Sequence, residues 1–168
     1  MWYFIWGLGH MHYAKIIKGD MVNGEGCGLT VFVSGCTFKC PGCYNESAWN
    51  FEYGKPFTVE TLEELLDDLD NEYIDHVSIL GGEALNPQNY REVMLLCKVI
   101  KARYEYMPIW LWTAYKFTRT LQRNIGKYLD VVIDGRYKQE LPTTKLYRGS
   151  DNQKMWVKGE DNIWKILN

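Results

Sequence analysis

The chain has 168 residues, of which 46% are hydrophobic and 24% are charged, and its formal net charge at pH 7 is −2. This length and composition favour a single globular domain that buries about two thirds of its unfolded surface. The 19 basic and 21 acidic residues are well mixed, without the basic stripe that is typical of nucleic-acid binding. The apolar stretch over residues 1–10 is too short to span a membrane. We therefore expect no nucleic acid and no membrane among its partners.

The first ten residues form an apolar stretch that ends just before Met11. They lack both the basic start and the convincing small-residue cleavage site of a signal peptide, so we expect a cytoplasmic protein. Met11 is an alternative start, which would make residues 1–10 an upstream extension. We assign no function to that extension and expect the functional domain to cover residues 11–168.

Apolar residues predict strands that alternate with helices along the chain. Thr58 is a candidate N-cap, and the glutamates that follow it favour the positive end of the helix dipole. A glycine pair, Gly81 and Gly82, ends one predicted strand, and Pro108 precedes another. The predicted strands cover 29–33, 76–80, 109–113, 129–133 and 155–157, and the predicted helices cover 58–70, about 89–104 and, more weakly, 117–127.

This alternation predicts the fold class. Strands that alternate with helices imply βαβ units and a parallel sheet covered by helices. A complete eight-stranded barrel usually takes about 250 residues, which is more than this chain has. We therefore expect an α/β fold, as a single-domain, partial (open) β/α barrel. Its active site should lie at the carboxyl ends of the strands, where the connecting loops converge.

The chain contains five cysteines. An odd number of cysteines in a reducing compartment argues against a disulfide framework and favours metal binding or catalysis. Three of them, Cys36, Cys40 and Cys43, form a CxxxCxxC pattern just after the strand predicted over 29–33. Iron–sulfur clusters require thiolate ligands and normally take four cysteines. Three cysteines in one loop can hold three corners of a 4Fe–4S cubane and leave one iron open to a substrate.

Two plainer interpretations of these cysteines stay open. One is a structural zinc site in which Cys27 or a histidine (His10, His12 or His76) supplies the fourth ligand. The other is a simple electron-carrier cluster. No second CxxC or HxxxH pair accompanies the motif in the sequence, which disfavours zinc. Cys97 lies on the apolar face of a predicted helix, where a free cysteine is an ordinary core residue.

Polar groups at two further strand ends fall at the same predicted edge of the sheet. Gly81 and Gly82 would let a ligand approach the backbone closely, and the carboxylate of Glu83 could bind an ammonium group. Thr113 ends the strand predicted over 109–113, and its hydroxyl suits either a polar cofactor or a simple turn. Together with the cysteines, these residues predict a metal site beside a site for a cationic ligand.

These motifs resemble those of a known superfamily. CxxxCxxC after one strand and Gly-Gly-Glu after the next are similar to the radical S-adenosylmethionine enzymes. Within that superfamily, the chain resembles the activating proteins of anaerobic ribonucleoside-triphosphate reductase over about residues 11–157. It departs from the superfamily at Gly42, Ala84 and Ala114, where an aromatic residue, a proline and a glycine are common. The motifs of the closer resemblance are Asn-Gly-Glu-Gly at 23–26, Phe-Val-Ser-Gly-Cys at 32–36, Cys-Tyr-Asn at 43–45, the Trp-rich strand at 109–113, Val-Ile-Asp-Gly-Arg-Tyr at 132–137 and Arg-Gly-Ser-Asp-Asn-Gln-Lys at 148–154.

The resemblance implies a set of cofactor contacts. Cys36, Cys40 and Cys43 would ligate a 4Fe–4S cluster. The fourth iron would take the amino and carboxylate groups of S-adenosylmethionine. The other cofactor-binding residues that the resemblance implies are Gly81, Gly82 and Glu83 on the amino side, Thr113 at a polar edge, and Gly42 and Tyr44 at the adenosyl part.

The resemblance also implies an activity and two partners. An electron from a flavodoxin-like donor would cleave S-adenosylmethionine to methionine and a 5′-deoxyadenosyl radical. That radical would remove a hydrogen from one backbone glycine of anaerobic ribonucleoside-triphosphate reductase, which is the protein substrate and is left with a glycyl radical. Two alternatives remain open. In the first, the target would be another glycyl-radical enzyme such as pyruvate formate-lyase. In the second, the chain would be a non-catalytic zinc or iron–sulfur module.

Overall fold

The computed structural model describes residues 8–167, so the first seven residues of the extension predicted over 1–10 lie outside it. The chain folds as a mixed α/β structure on one eight-stranded sheet. Within residues 8–167, no helix has both the length and the apolar character needed to cross a bilayer. The strands are β1 (His12–Asp20), β2 (Gly28–Val33), β3 (Lys55–Pro56), β4 (His76–Gly81), β5 (Ile109–Thr113), β6 (Val131–Asp134), β7 (Lys154–Lys158) and β8 (Trp164–Leu167). The helices are α1 (Val59–Leu69), α2 (Pro87–Arg103) and α3 (Arg119–Arg123), with 3₁₀ helices over Glu46–Trp49 and Ile125–Lys127.

The centre of the sheet is parallel and its two sides are antiparallel. Strands β2, β4, β5 and β6 pair in parallel, and α1, α2 and α3 lie in the connections between them. Antiparallel β1 and β3 extend one side, and antiparallel β7 and β8 extend the other. The order is therefore β3-β1-β2-β4-β5-β6-β7-β8. Because parallel strands share one direction, the carboxyl ends of four strands lie at one edge.

The two faces of the sheet belong to different hydrophobic clusters. Val31, Ile79 and Leu111 belong to the main core, together with the buried leucines of α1 and the buried apolar residues of α2. Successive strand residues point to opposite faces. Trp110 and Ile133 therefore face away from the helices, in a smaller cluster that also contains the half-buried Tyr147.

Most of the predicted elements are confirmed, with ends that shift by one or two residues. Thr58 caps α1 as expected, because its side chain accepts a hydrogen bond from the backbone N–H of Thr61. Asn86, which the sequence pattern does not reveal as a cap, caps α2 by accepting from the N–H of Gln88. The strand predicted over 109–113 coincides with β5.

Three strands and one helix depart from the prediction. The sequence pattern does not predict β1, β3 or β8, because these outer strands carry mostly half-buried or exposed residues and show no clear alternation. The helix predicted over 117–127 is wrong in extent. The α-helical part is only α3, because Asn124 has a non-helical backbone and the chain continues as a 3₁₀ turn.

A buried histidine explains two glycines at the start of β2, Gly24 before the strand and Gly28 as its first residue. His76 begins β4 and is 1% exposed, and its Nε2 lies 3.1 Å from the carbonyl oxygen of Asn23. A Cβ at Gly24 or at Gly28 would lie 2.2 Å from the same Nε2 atom, well inside contact distance. Gly24 of the Asn-Gly-Glu-Gly motif and Gly28 of β2 therefore meet a packing requirement at the amino edge of the parallel strands.

We predict that Gly28→Ala lowers the free energy of unfolding by about 1–3 kcal/mol, because the added methyl group overlaps the His76 imidazole. Anaerobic urea unfolding, followed by circular dichroism, measures this change. The same substitution in a His76→Ala background should cost much less, since the overlapping ring is gone. An equal cost in both backgrounds would contradict the contact.

Candidate functional site

The predicted site residues gather at the carboxyl edge of the parallel strands. The loop that contains Cys36 follows β2, and Gly82 and Glu83 follow β4. Thr113 is the last residue of β5. Hydrogen bonds join these strand ends to one another, so the edge is one connected region and not three separate loops.

Two of the alternative zinc ligands lie at the opposite edge. Cys27 precedes β2 and His76 begins β4, whereas Cys36 follows β2. The six residues of β2, about 20 Å of extended chain, separate the two edges. This geometry excludes Cys27 and His76 as fourth ligands of the CxxxCxxC motif. Cys97 is fully buried on α2, and burial raises the pKa of its thiol to about 12, as expected for a core residue.

The three clustered cysteines share one short loop, residues 34–45 between β2 and the 3₁₀ helix over Glu46–Trp49, which we call the cysteine loop. Cys36 and Cys40 are buried and Cys43 is half-buried, and burial raises the pKa of the Cys36 thiol. The N–H of Cys43 donates to the carbonyl oxygen of Cys40 at 3.2 Å, which closes the turn through Pro41 and Gly42. Within residues 8–167, no three His, Cys, Asp or Glu side chains converge closely enough to hold an ion. The three thiols therefore lie in one loop, but their sulfurs do not converge on a common point in this structure.

Gly81 and Gly82 bring the end of β4 against the end of β2. The N–H of Gly82 donates to the carbonyl oxygen of Val33 at 2.7 Å, and the N–H of Glu83 donates to that of Gly35 at 2.9 Å. A Cβ at Gly82 would lie 2.7 Å from the Gly35 oxygen, and one at Gly81 would lie 2.6 Å from the Val33 oxygen. The glycine pair is thus required for the approach of two chain segments. The approach of a ligand to it stays a prediction.

Asn89, which the sequence analysis missed, holds the same junction from α2. Its side chain is 1% exposed. Its Nδ2 donates to the carbonyl oxygens of Ser34 at 2.9 Å and of Glu83 at 3.0 Å, and lies 3.5 Å from that of Gly35. It therefore connects the start of the cysteine loop to the turn after β4. One asparagine in a helix has no sequence signature, so only the folded contact reveals this role.

The carboxylate of Glu83 connects β4 to β5. It accepts hydrogen bonds from the hydroxyl of Thr113 at 2.6 Å, from the N–H of Ala114 at 2.7 Å and from the N–H of Leu85 at 2.9 Å. Burial raises the pKa of this carboxyl, and the three donors oppose that rise. The Thr113 hydroxyl also accepts from the N–H of Tyr115. A carboxylate has about four acceptor positions, and these three donors occupy three of them.

Gly42 and Tyr44 lie on the exposed side of the cysteine loop. Gly42 has a φ of +68°, and a Cβ there would lie 2.4 Å from Oε1 of Gln139. Tyr44 is 82% exposed, and its ring centroid lies 5.5 Å from that of Tyr137. Both residues therefore face the segment that follows β6. Their contact with an adenosyl group stays a prediction.

Arg136 is a second residue to which the sequence analysis assigned no role of its own. Its Nη2 donates to the carbonyl oxygen of Phe38 at 2.8 Å, and its Nε donates to Sγ of Cys40 at 3.4 Å. The backbone N–H of Asn45 donates to Sγ of Cys43 at 3.4 Å. Two of the three clustered sulfurs therefore accept a hydrogen bond from an N–H group of the protein.

Comparison with known proteins identifies the family. Residues 22–156 match the family model of the 4Fe–4S single cluster domain. The chain is 48% identical over 155 residues to the anaerobic ribonucleoside-triphosphate reductase-activating protein of Enterobacteria phage T4, with 92% of this chain and 99% of that protein covered. It is 38% identical to the protein of the same name from Escherichia coli strain K12, with 85% and 96% covered, and 39% identical to that from Pasteurella multocida, with 85% and 95% covered. The chain belongs to the family of anaerobic ribonucleoside-triphosphate reductase-activating proteins.

Membership of the activating-protein family confirms the family expected from the motifs. The matched 4Fe–4S single cluster domain includes the cysteine loop, residues 81–83, Thr113 and Arg136. It favours an iron–sulfur cluster over the structural zinc interpretation. The hydrogen bonds at the carboxyl edge show how this member of the family sets its cysteine loop against β4 and β5.

We predict that Asn89→Ala lowers the free energy of unfolding by about 1–3 kcal/mol, because it leaves the carbonyl oxygen of the buried Ser34 without its donor and that of Glu83 with only the N–H of Asn86. Urea unfolding under anaerobic conditions measures the loss. Asn71→Ala is the matched control, since Asn71 is exposed and its side chain accepts only from the nearby N–H of Tyr73. Equal effects of the two substitutions would contradict the role of Asn89.

Proposed function

We propose that this chain activates anaerobic ribonucleoside-triphosphate reductase, and that it uses a 4Fe–4S cluster and S-adenosylmethionine to form a glycyl radical on that protein. The observation that carries the proposal is the gathering of the cysteine loop, Glu83 and Thr113 at one sheet edge in a chain of the activating-protein family. We assign this function to a radical S-adenosylmethionine domain over residues 11–168.

The chemistry of the cysteine loop supports ligation by three cysteines. Thiolates are the ligands of iron–sulfur clusters, and three of them leave one iron without a protein ligand. The N–H donors at Sγ of Cys40 and Sγ of Cys43 would serve as hydrogen bonds to ligand sulfurs. Cys36 would also have to be deprotonated to bind iron, and the positive charge of that iron would oppose the burial that raises the pKa of its thiol. The proposed ligands exclude Cys27 and Cys97.

The same edge supports the proposed contacts with S-adenosylmethionine. When bound, the cluster and the cofactor supply the radical chemistry, which is reductive cleavage of S-adenosylmethionine followed by formation of the glycyl radical. Glu83 would use its remaining acceptor position for the cofactor's ammonium group, and Thr113 would contact a polar edge of the cofactor while its hydroxyl holds Glu83 in place. The remaining proposed contacts are Gly81 and Gly82 on the amino side and Gly42 and Tyr44 on the adenosyl side.

The strand order supports an open, partial barrel. Parallel β2, β4, β5 and β6 are neighbours in chain order, as in a barrel segment, whereas the order reverses within a doubly wound sheet. Antiparallel β7 and β8 then end the sheet. An open side would admit a glycine loop of the reductase, and we propose a flavodoxin-like protein as the electron donor.

We predict that alanine at Cys36, Cys40 or Cys43 abolishes bound iron after anaerobic reconstitution with iron and sulfide, because each substitution removes one of three ligands. Cys27→Ala and Cys97→Ala are the matched controls and should keep normal iron, although Cys97→Ala should lower stability. Iron, sulfide and zinc analysis of each protein makes the measurement. Normal iron in Cys40→Ala, or loss of iron in Cys27→Ala, would contradict the assignment.

We predict that the reconstituted, reduced protein cleaves S-adenosylmethionine and forms a glycyl radical on anaerobic ribonucleoside-triphosphate reductase. Electron paramagnetic resonance detects the radical, with pyruvate formate-lyase as the alternative substrate. Glu83→Gln should keep its iron but bind the cofactor about a hundredfold more weakly or worse, since the charge that would pair with the ammonium group is lost. Glu52→Gln, at an exposed position, is its control.

Two outcomes would contradict parts of this proposal. Tight cofactor binding and a full radical signal in Glu83→Gln would remove Glu83 from the cofactor site. A wild-type protein that cleaves the cofactor, but forms the radical only on pyruvate formate-lyase, would contradict anaerobic ribonucleoside-triphosphate reductase as the protein substrate.

A further inference from the structure

The segment after β6 contacts the cysteine loop through one arginine. The Arg136 guanidinium donates through Nη2 to the carbonyl oxygen of Phe38 and through Nε to Sγ of Cys40, at 2.8 and 3.4 Å. Its Cζ atom also lies 5.9 Å from the centroid of the Phe38 ring. One side chain therefore contacts both the backbone of the cysteine loop and one of its sulfurs. The planar, forked guanidinium suits two such contacts, and a lysine ammonium group does not.

The backbone at Arg136 is held by two amide side chains from a later segment. Asn152 Nδ2 donates to the carbonyl oxygen of Arg136 at 2.9 Å, and Gln153 Nε2 donates to that of Gly135 at 2.8 Å. Gln153 Oε1 in turn accepts from the N–H of Gly149 at 2.7 Å, and also from the N–H of Ser150 at 3.2 Å. Together, these bonds join residues 149–153 to residues 135–136.

The backbone conformation at this point requires a glycine. Gly135 has a φ of +114°, which side chains with a Cβ rarely adopt. The Ser150 hydroxyl, on a fully buried residue, accepts from the N–H of Lys138 and fixes the other side of Arg136. The Asp-Gly-Arg-Tyr and Arg-Gly-Ser-Asp-Asn-Gln motifs are therefore parts of one arrangement, which directs Arg136 at the cysteine loop.

We propose that Arg136 is a positioning residue that raises the reduction potential of the cluster on the cysteine loop, and that Asn152 and Gln153 hold it for this role. The inference rests on the proposed function, because it needs Cys40 to ligate the cluster. Reduction adds one electron to the cluster. A hydrogen bond to a ligand sulfur and a nearby positive charge both favour the reduced state over the oxidised state.

The test uses the full chain, reconstituted anaerobically with iron and sulfide and equilibrated with redox mediators over a range of potentials. The signal of the reduced cluster in electron paramagnetic resonance gives the midpoint potential. We expect Arg136→Gln to keep normal iron and to lower the ratio of reduced to oxidised cluster about tenfold at a fixed potential, which is 59 mV for one electron. Arg136→Lys should lower the ratio less, because it keeps the charge and loses the forked contact.

The matched control is Arg103→Gln, which removes the same charge. Arg103 ends α2, the helix that begins at the carboxyl edge and runs back toward the opposite edge, and it pairs with Asp70 on the surface. Its potential should equal that of the wild type. Gln153→Ala keeps the charge of Arg136 but releases Gly135, so its potential should lie between those of the wild type and Arg136→Gln.

Each outcome separates this inference from the proposed function. Wild-type potential in Arg136→Gln, at normal iron content, would overturn the inference and leave the proposed function intact. If Arg136→Gln fails to hold iron, then Arg136→Lys and Gln153→Ala decide, and wild-type potentials in both would overturn the inference. A wild-type protein that takes up no iron would overturn the proposed function instead.

Discussion

The junction between the ends of β2 and β4 is the constraint on which the candidate site depends. Hydrogen bonds continue past the two strands, from Gly82 to Val33 and from Glu83 to Gly35. The backbone that leads into Cys36 is therefore bonded to the backbone that presents the Glu83 carboxylate, with no intervening side chain. A side chain at Gly82 would force these segments apart. The relative position of the first cysteine and the carboxylate thus follows from parallel pairing and from a residue without a Cβ.

Buried polar groups extend this junction to β5 and α2. Glu83 accepts from Thr113 and from the N–H of Ala114, and Asn89 donates to the carbonyl oxygens of Ser34 and Glu83. Burying such groups without a hydrogen-bond partner costs free energy, but here both the Glu83 carboxylate and the Asn89 amide have backbone or side-chain partners. A satisfied network of this kind rigidifies its surroundings. The ends of β2, β4 and β5 and the start of α2 consequently form one hydrogen-bonded unit. This unit fixes the position at which the cysteine loop begins.

Sequence patterns predicted what depends on local spacing and missed what depends on distant contacts. The CxxxCxxC motif, the Thr58 cap and the buried central strands each have a signature within a few residues, and the structure has them close to the predicted positions. The half-exposed β1 and β8 have no such signature. Asn89 acts on residues 54 and 55 positions away, so nothing beside it in the chain indicates its role. Gly24 belongs to a recognisable motif, but the contact with His76 that requires a glycine there exists only because β4 pairs with β2.

The connection between β6 and β7 contacts both the face of the sheet that points away from the helices and the cysteine loop. Residues 135–153 contain neither helix nor strand, and connections of this length are uncommon unless they are functional. At one end, Arg136 and Gln139 contact the cysteine loop. Further along, the Tyr147 ring lies 5.0 Å from that of Trp110, and its carbonyl oxygen accepts from Nε1 of Trp112 at 2.8 Å. The Trp-rich strand β5 therefore holds the connection against the sheet face that points away from the helices. Because the same connection carries Arg136, one segment of chain sets both the packing on that face and the contact with Cys40.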